Sequence, residues 1–292
     1  MRRLIACSLF FLLMVGCASI SVQEFEVYKT AFDKTNEAST AILDQLALQE
    51  RALFLRHYKY ARSATHFEPG LARFLTDSVD PPGTAAFRGA LQVIKAYNDL
   101  LYGLESGQTA QTLAAKLSAM ESATSSSIVA VGGVAATATG ANAASLATSM
   151  AALDKIFQTL LPFIQLGLKY RAQQEFRTFL VQNYGLVRDL LLHLRNGTSA
   201  IFPVLTAASV REFNDGGAMS AEDSKRIETY RKLLADWVIL LEVTIKALDR
   251  AKAAAEAPPT LVDNVTGLTA FAIEMETAAK SAKTNLAKLA TK

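Results

Sequence analysis

Cysteine is scarce in this chain. Only two cysteines occur in its 292 residues, Cys7 and Cys17, and both lie near the amino end. Residues 18–292 therefore offer no disulfide, no cysteine nucleophile and no zinc site built from cysteine. The fold of this part of the chain has to be held together by packing, hydrogen bonds and ion pairs.

Glycine and proline are also few, with 15 and 7 residues respectively. These residues interrupt regular structure, so a low number allows long uninterrupted elements. Hydrophobic residues make up 51% of the chain, and alanine and leucine recur at steps of three and four. That period is typical of amphipathic helices. The sequence predicts an all-α fold, specifically an elongated antiparallel helical bundle with long, coiled-coil-like helices.

Excess charge of either sign is nearly absent. The chain has 30 lysines and arginines against 27 acidic residues, which gives a net charge of +3. Without Arg2 and Arg3 the balance is 28 against 27, or +1. A surface that binds nucleic acid needs a concentrated basic stripe, which this composition does not favour. We therefore expect no nucleic-acid partner.

Sequence motifs of catalysis are missing as well. The chain contains no HExxH, no GxSxG and no glycine-rich phosphate loop. His57 and His66 are nine positions apart, which does not place them on one face of a helix. His193 lies in a leucine-rich segment that we interpret as the end of a helix. These histidines are interpreted as solvated or capping residues rather than metal ligands.

Three further residues invite a functional interpretation. Trp237 lies on a helical apolar stripe, for which a core position is a simpler explanation than stacking on a ligand. Asp44 and Glu50 are interpreted as surface charges of a helix rather than an acid–base pair. We therefore expect no catalytic residue, no metal site and no cofactor, and we predict that the protein is not an enzyme.

The amino end has the pattern of a secretory signal. Arg2 and Arg3 precede the apolar run Leu4–Val15, and small residues follow it. About 20 apolar residues are needed to cross a bilayer, so the run is too short for a spanning helix. Its ending, Met14-Val15-Gly16-Cys17, resembles the lipobox of bacterial lipoproteins.

The lipobox resemblance implies that residues 1–16 are a signal peptide that is removed. Cys17 would then receive a diacylglyceryl group and a further fatty acyl chain such as palmitate. Ala18 stands where an aspartate would favour the inner membrane, so the resemblance implies an outer-membrane anchor on the periplasmic side of a Gram-negative cell. Two or more acyl chains hold a protein on a membrane without a spanning helix.

Residues 17–292 are predicted to form one helical-bundle domain, because no break resembles a domain linker. Asp80-Pro81-Pro82-Gly83 is the weakest joint in this prediction. Ser220 with Asp223 forms a capping box at the start of the clearest helix. That helix and the last one, separated by Pro258-Pro259, both carry apolar stripes and are predicted to form an antiparallel hairpin.

Other helix boundaries also follow from the sequence. A long helix is predicted over residues 21–64, with one stripe of residues at steps of three and four that suits a partner helix: Phe25, Tyr28, Phe32, Thr35, Ile42, Leu46 and Leu53. The amphipathic helix Lys169–Arg195 is predicted to end at Asn196-Gly197, through the left-handed conformation that glycine allows. A separate short helix is predicted over Ser199–Phe213, with Pro203 in its first turn.

Residues 122–153 contain no charged side chain and are rich in Ala, Ser, Thr, Gly and Val. One interpretation is a close-packed or partly flexible helical hairpin, since small residues let helices approach closely. Another is a membrane-active tongue at residues 126–150, supported by the apolar residues Ile156–Leu168. The latter composition resembles that of helical pore-forming toxins. A disordered linker is the third interpretation.

These observations favour a non-enzymatic envelope lipoprotein, tethered through acyl chains on Cys17, that holds or spaces an envelope protein partner. The alternative hypothesis is an α-helical membrane-perturbing protein that uses residues 126–150. A hydrolase with an unrecognised site is a third hypothesis. The sequence does not identify the partner, and it leaves open whether the chain forms a homo-oligomer.

Overall fold

The structure, a computed structural model, describes residues 20–61, 67–132, 172–211, 216–257 and 265–290. Within these ranges the chain forms helices and no strand, which confirms the predicted all-α class. In chain order the elements are α1 (Ile20–Ala61), a 3₁₀ turn (Pro69–Leu71), α2 (Ala72–Leu75), α3 (Pro82–Glu105), α4 (Ala110–Gly132), α5 (Ala172–Thr206), α6 (Ala221–Glu256) and α7 (Val265–Ala290).

Helix α1 runs antiparallel to α6. Near the start of α1, the carboxylate of Glu24 lies 3.8 Å from the guanidinium of Arg250. Farther along, the hydroxyl of Ser39 accepts a hydrogen bond of 2.7 Å from the indole N–H of Trp237. Residue numbers rise along α1 while they fall along α6, which fixes the opposite directions of the two helices.

Helix α3 also runs antiparallel to α1. The ammonium of Lys29 lies 3.3 Å from the carboxylate of Asp99. At the other end of the contact, Arg88 and Asp44 are 2.8 Å apart. The described core of the bundle is therefore built around α1, with α3 and α6 pointing the opposite way.

Helix α5 completes this core and points in the same direction as α1. The hydroxyl of Tyr184 donates to Asp249 at 2.6 Å, and the guanidinium of Arg195 donates to Glu242 at 2.7 Å. These two contacts show that α5 is antiparallel to α6. The helices α1, α3, α5 and α6 thus form an antiparallel bundle.

Two helices flank the bundle. On one side, Lys116 of α4 donates to the carbonyl oxygen of Asp99 on α3 at 2.9 Å. On the other side, Asp236 of α6 accepts hydrogen bonds from Ser281 and Asn285 of α7, at 2.8 and 2.9 Å. These contacts pack α7 against α6, while the antiparallel direction of the two helices stays a prediction and the loop at 258–264 lies outside the described residues.

The apolar stripe predicted on the long first helix faces the core. Leu53, at its far end, is half-buried. Fully burying a leucine-sized apolar side chain stabilises the folded state by about 1.5–3 kcal/mol relative to leaving it exposed, before the loss of conformational entropy is subtracted. The other members of the predicted stripe are at most 3% exposed: Phe25, Tyr28, Phe32, Thr35, Ile42 and Leu46.

The helix end predicted at Asn196-Gly197 is wrong, because α5 continues through it. Gly197 keeps a helical conformation, and a Cβ added there would lie 2.5 Å from Cζ of Phe87 on α3. Glycine here allows two helices to approach closely and does not terminate one. The separate helix predicted over Ser199–Phe213 is therefore largely part of α5, and Pro203 lies inside it.

The predicted start of α6 is confirmed. The hydroxyl oxygen of Ser220 accepts a hydrogen bond of 3.0 Å from the backbone N–H of Asp223. The same hydroxyl donates to the Asp223 carboxylate at 2.7 Å. A left-handed Gly216, with φ of +85°, turns the chain just before this cap. One of the free N–H groups at the helix start is satisfied in this way.

Candidate functional site

The two ends of the bundle are distinguished by the residue pairs that make contact there. The proximal end contains Glu24 and Arg250, and the distal end contains Glu50 and Gly83. Cys17, the predicted lipidation site, lies outside the described residues, three positions before the first described residue of α1. Helix α1 has 42 residues. At about 1.5 Å per residue the helix is about 60 Å long.

At the distal end, a side chain of α1 caps the start of α3. The carboxylate of Glu50 accepts hydrogen bonds of 2.9 Å from the backbone N–H groups of Gly83 and Thr84, and another of 2.9 Å from the Thr84 hydroxyl. Burial raises the pKa of Glu50, while these three hydrogen bonds act to lower it. An anion at this position also complements the positive end of the helix dipole. The interpretation of Glu50 as a surface charge is therefore wrong.

An arginine of α3 links the same junction to α1. The Nε of Arg88 lies 2.6 Å from Asp80, and its Nη2 lies 2.8 Å from Asp44. Residues 81–84 are buried. The sequence predicted Asp80–Gly83 as the weakest joint of the bundle, but the structure ties this turn to α1 through Glu50 and Arg88.

The connection between α1 and α3 folds back over α1. The guanidinium of Arg51 donates to the carbonyl oxygen of Val79 at 2.7 Å and lies 3.3 Å from the Asp77 carboxylate. The ring of Phe54 stacks on Phe74 of α2, with 4.2 Å between the ring centres. Polar and aromatic contacts together hold the connection in place.

This framework leaves four large apolar side chains exposed at the distal end. We call them the distal apolar patch: Leu48 (54% exposed), Phe67 (65%), Leu75 (36%) and Val79 (44%). Leu48 belongs to α1, and the other three belong to the connection that folds back over it. Exposed apolar side chains that adjoin one another are typical of contact surfaces between macromolecules.

A polar layer joins α1 to α6 inside the core. The hydroxyls of Thr35 and Thr244 are 2.9 Å apart, and both are fully buried. One turn along α1, Ser39 accepts from Trp237 and donates to the carbonyl oxygen of Thr35 at 2.6 Å. Trp237 is fully buried, as the sequence predicted. Each polar group of this layer finds a protein partner.

The histidines do not converge on a site in the described part of the chain. His193 is half-buried and lies well inside α5, so its predicted position at a helix end is wrong. The side chains of His57 and His66 lie outside the described residues. Among the side chains that the structure describes, no group of three or more His, Cys, Asp or Glu is arranged to hold a metal ion.

The uncharged segment predicted at 122–153 begins inside α4, which continues to Gly132. Residues 133–153 lie outside the described ranges, so the hairpin, tongue and linker interpretations stay predictions. In the described ranges, none of the helices combines the length and the apolar character that a membrane span requires.

Comparisons with protein families, with curated proteins and with solved structures gave no match to this chain.

Proposed function

We propose that this protein is a non-enzymatic lipoprotein of the cell envelope that holds a protein partner in the periplasm or at the outer membrane. The observation that carries the proposal is the position of Cys17. It ends a lipobox-like sequence and stands three residues before the long helix α1. An acyl anchor on Cys17 would therefore be joined almost directly to the helix around which the bundle is built.

The dimensions of α1 support this proposal. Leu48 lies 28 positions after Ile20, which places the distal apolar patch about 40 Å along the helix axis. An anchor at one end and exposed apolar side chains at the other suit a tether that presents a contact surface away from the bilayer. Acyl chains contribute about 0.8 kcal/mol for each buried CH₂ group, so two or more give a stable attachment.

Acylation is tested with Cys17→Ser, with Cys7→Ser as the matched control. Cells that express each full-length variant are labelled with an alkynyl fatty acid, and the envelope and soluble fractions are compared. We expect label and membrane attachment to disappear in Cys17→Ser and to persist in Cys7→Ser. Acylation that survives in Cys17→Ser, or an unmodified mature amino end in the unaltered protein, would refute the lipoprotein assignment.

Partner contact is tested at the distal apolar patch. A tag at the carboxyl end allows recovery of cross-linked complexes from envelopes that contain Leu48→Ser with Phe67→Ser. Ile273→Ser is the control, because Ile273 is 62% exposed but lies on α7. We expect the double variant to lose cross-linked partners that the control retains. Equal recovery in both would remove the patch from the proposal.

The alternative, a membrane-perturbing protein, retains one supporting observation. Helix α4 continues without a break into the uncharged residues up to Gly132. Leakage of dye from liposomes, measured for the lipid-free chain with and without Val131→Asp, separates the two functions. The tether proposal predicts no leakage from either form. Leakage by the unaltered chain that Val131→Asp abolishes would favour the alternative.

A further inference from the structure

Four polar side chains meet in the core where α1, α3 and α5 pack together. They are Tyr28 on α1, Tyr97 and Asn98 on α3, and Asn183 on α5, and each is at most 1% exposed. The side chain of Asn98 lies within hydrogen-bonding range of the Tyr28 hydroxyl and acts to lower its pKa, and Asn183 does the same for Tyr97. This group is called the buried tyrosine–asparagine cluster.

Part of the cluster is satisfied by protein groups. The hydroxyl of Tyr97 donates to the carbonyl oxygen of Phe179 at 3.1 Å. The Nδ2 of Asn183 donates to the same oxygen at 2.9 Å. The first bond joins α3 to α5, and the second lies within α5; together they use the Tyr97 hydroxyl proton and one amide proton of Asn183.

The rest of the cluster is not satisfied by the described residues. The Tyr28 hydroxyl, both amide atoms of Asn98 and the Oδ1 of Asn183 are buried and make no well-formed hydrogen bond with the described residues, although Tyr28 and Asn98 are close neighbours. A buried polar atom left without a partner costs free energy, and four such atoms would cost about as much as the net stability of a typical domain. In the layer of Thr35 and Thr244, by contrast, the buried hydroxyls bond to each other and to backbone carbonyl oxygens.

The unsatisfied atoms have a definite pattern. Tyr28 supplies a hydroxyl donor and Asn98 an amide donor, while the Oδ1 atoms of Asn98 and Asn183 are acceptors. Burial raises the pKa of Tyr28, so its hydroxyl remains a donor at physiological pH. A water molecule accepts two hydrogen bonds and donates two, which complements this set. The side chains are almost completely enclosed, so a larger ligand has no route to them.

We propose that the buried tyrosine–asparagine cluster is a binding site for ordered water, with at least one molecule bonded to the open polar atoms of Tyr28, Asn98 and Asn183. The water would complete the polar contacts among α1, α3 and α5. In this position it would fix the register of α1 against its neighbours, since a shift of α1 would break the bonds through Tyr28.

The site is tested on the full-length chain in detergent by oxygen-17 magnetic relaxation dispersion, which counts waters with long residence times. We expect at least one more long-lived water in the unaltered protein than in Asn98→Leu or Tyr28→Phe. Thr244→Val is the matched control, because it removes a buried hydroxyl that already has protein partners. That variant is expected to keep the long-lived water.

Stability gives an independent readout. If water occupies the cluster, Tyr28→Phe and Asn98→Leu both lower the urea midpoint, because each removes bonds that the water makes. If the cluster is dry, both raise it, because each removes unsatisfied atoms. Equal numbers of long-lived water in the unaltered chain and in Tyr28→Phe, or raised midpoints, would overturn the proposal. Should Asn98→Leu fail to fold, Tyr28→Phe alone decides.

Discussion

The ring of Phe87 lies directly against the backbone of Gly197. A Cβ at position 197 would come within 2.5 Å of Cζ and 2.7 Å of Cε1 of this ring. On its other side Phe87 faces Trp237, with 6.3 Å between the ring centres. The absence of a side chain at Gly197 therefore sets how closely α3 packs against α5, and through Phe87 it also affects the contact with α6.

Gly197→Ala should destabilise the protein. The added methyl group would overlap the Phe87 ring, and the overpacking is expected to cost about 1–3 kcal/mol. The urea midpoint measured by circular dichroism checks this. Gly185→Ala in the same helix is the control, since a Cβ at Gly185 meets nothing within 4 Å. It should stabilise by about 0.5–1 kcal/mol. Similar changes in both variants would mean that Phe87 does not pack on Gly197.

Removal of the Glu50 carboxylate should loosen the start of α3. Glu50→Ala leaves the N–H groups of Gly83 and Thr84 without their acceptor in a buried position, at a cost of roughly 2–3 kcal/mol. The change is read from the urea midpoint. Asp44→Asn is the control, because Asp44 pairs with Arg88 but its side chain is 63% exposed. Removal of this exposed charge should lower the stability by less than about 1 kcal/mol. A Glu50→Ala variant as stable as Asp44→Asn would contradict the capping role.

Ser39→Ala should cost about 1–3 kcal/mol, because the buried indole N–H of Trp237 would lose its acceptor. The shift in thermal midpoint, together with the tryptophan fluorescence spectrum, measures this effect. Thr40→Ala provides the matched control. The Thr40 hydroxyl is exposed and bonds only within its own helix, to Asn36, so its loss should change stability by less than about 0.5 kcal/mol. Equal effects of both variants would show that the Trp237 bond contributes nothing.

Asp99 should make stability depend on acid pH. Burial acts to raise its pKa, but the ammonium groups of Lys95 and Lys29, 2.5 and 3.3 Å away, lower it below the ordinary value of 3.8. A lowered pKa in the folded state contributes stability at pH above 3.8 that is lost as pH falls through the folded value. Asp99→Asn should therefore be less stable at pH 7, by less than about 1 kcal/mol for this partly exposed group.

Urea midpoints of the unaltered chain and Asp99→Asn, measured from pH 7 down to pH 3, check this expectation. The difference between the two should shrink as the solution becomes acidic. Thr112→Ala, which removes an exposed hydroxyl at the start of α4, serves as a control with no pH-dependent difference. If the difference in urea midpoint between Asp99→Asn and the unaltered chain stayed constant over this pH range, the charge pairing of Asp99 would be contradicted.

The parts of the fold that depend on local pattern could be predicted from the sequence. The buried stripe of α1 and the cap at Ser220 follow from spacing within a few residues, and both are confirmed. The contacts of Glu50 could not be predicted in this way. Its partner Gly83 is 33 positions away, and only the antiparallel packing of α1 and α3 brings the two together.

Gly197 shows a second reason for failure. Glycine serves both left-handed helix ends and close helix contacts, and the local sequence around Asn196-Gly197 is compatible with either. The decision depends on Phe87, which belongs to another helix. Buried polar residues present the same difficulty, because Thr35 could be placed on the core stripe by period, while the need for a hydroxyl there depends on Thr244.

The central place of α1 has a mechanical consequence. This helix packs against α3, α5, α6 and α7, and it is also the first described helix after Cys17 in the chain. Tension applied at the amino end would act along the axis of α1. It would be shared at the same time by all contacts of α1 with its neighbouring helices, and the force on each contact would be parallel to the helix axis. Helices loaded in this direction resist separation better than helices that are peeled apart one turn after another. A bundle anchored at Cys17, as proposed above, would therefore transmit force without unravelling from that end.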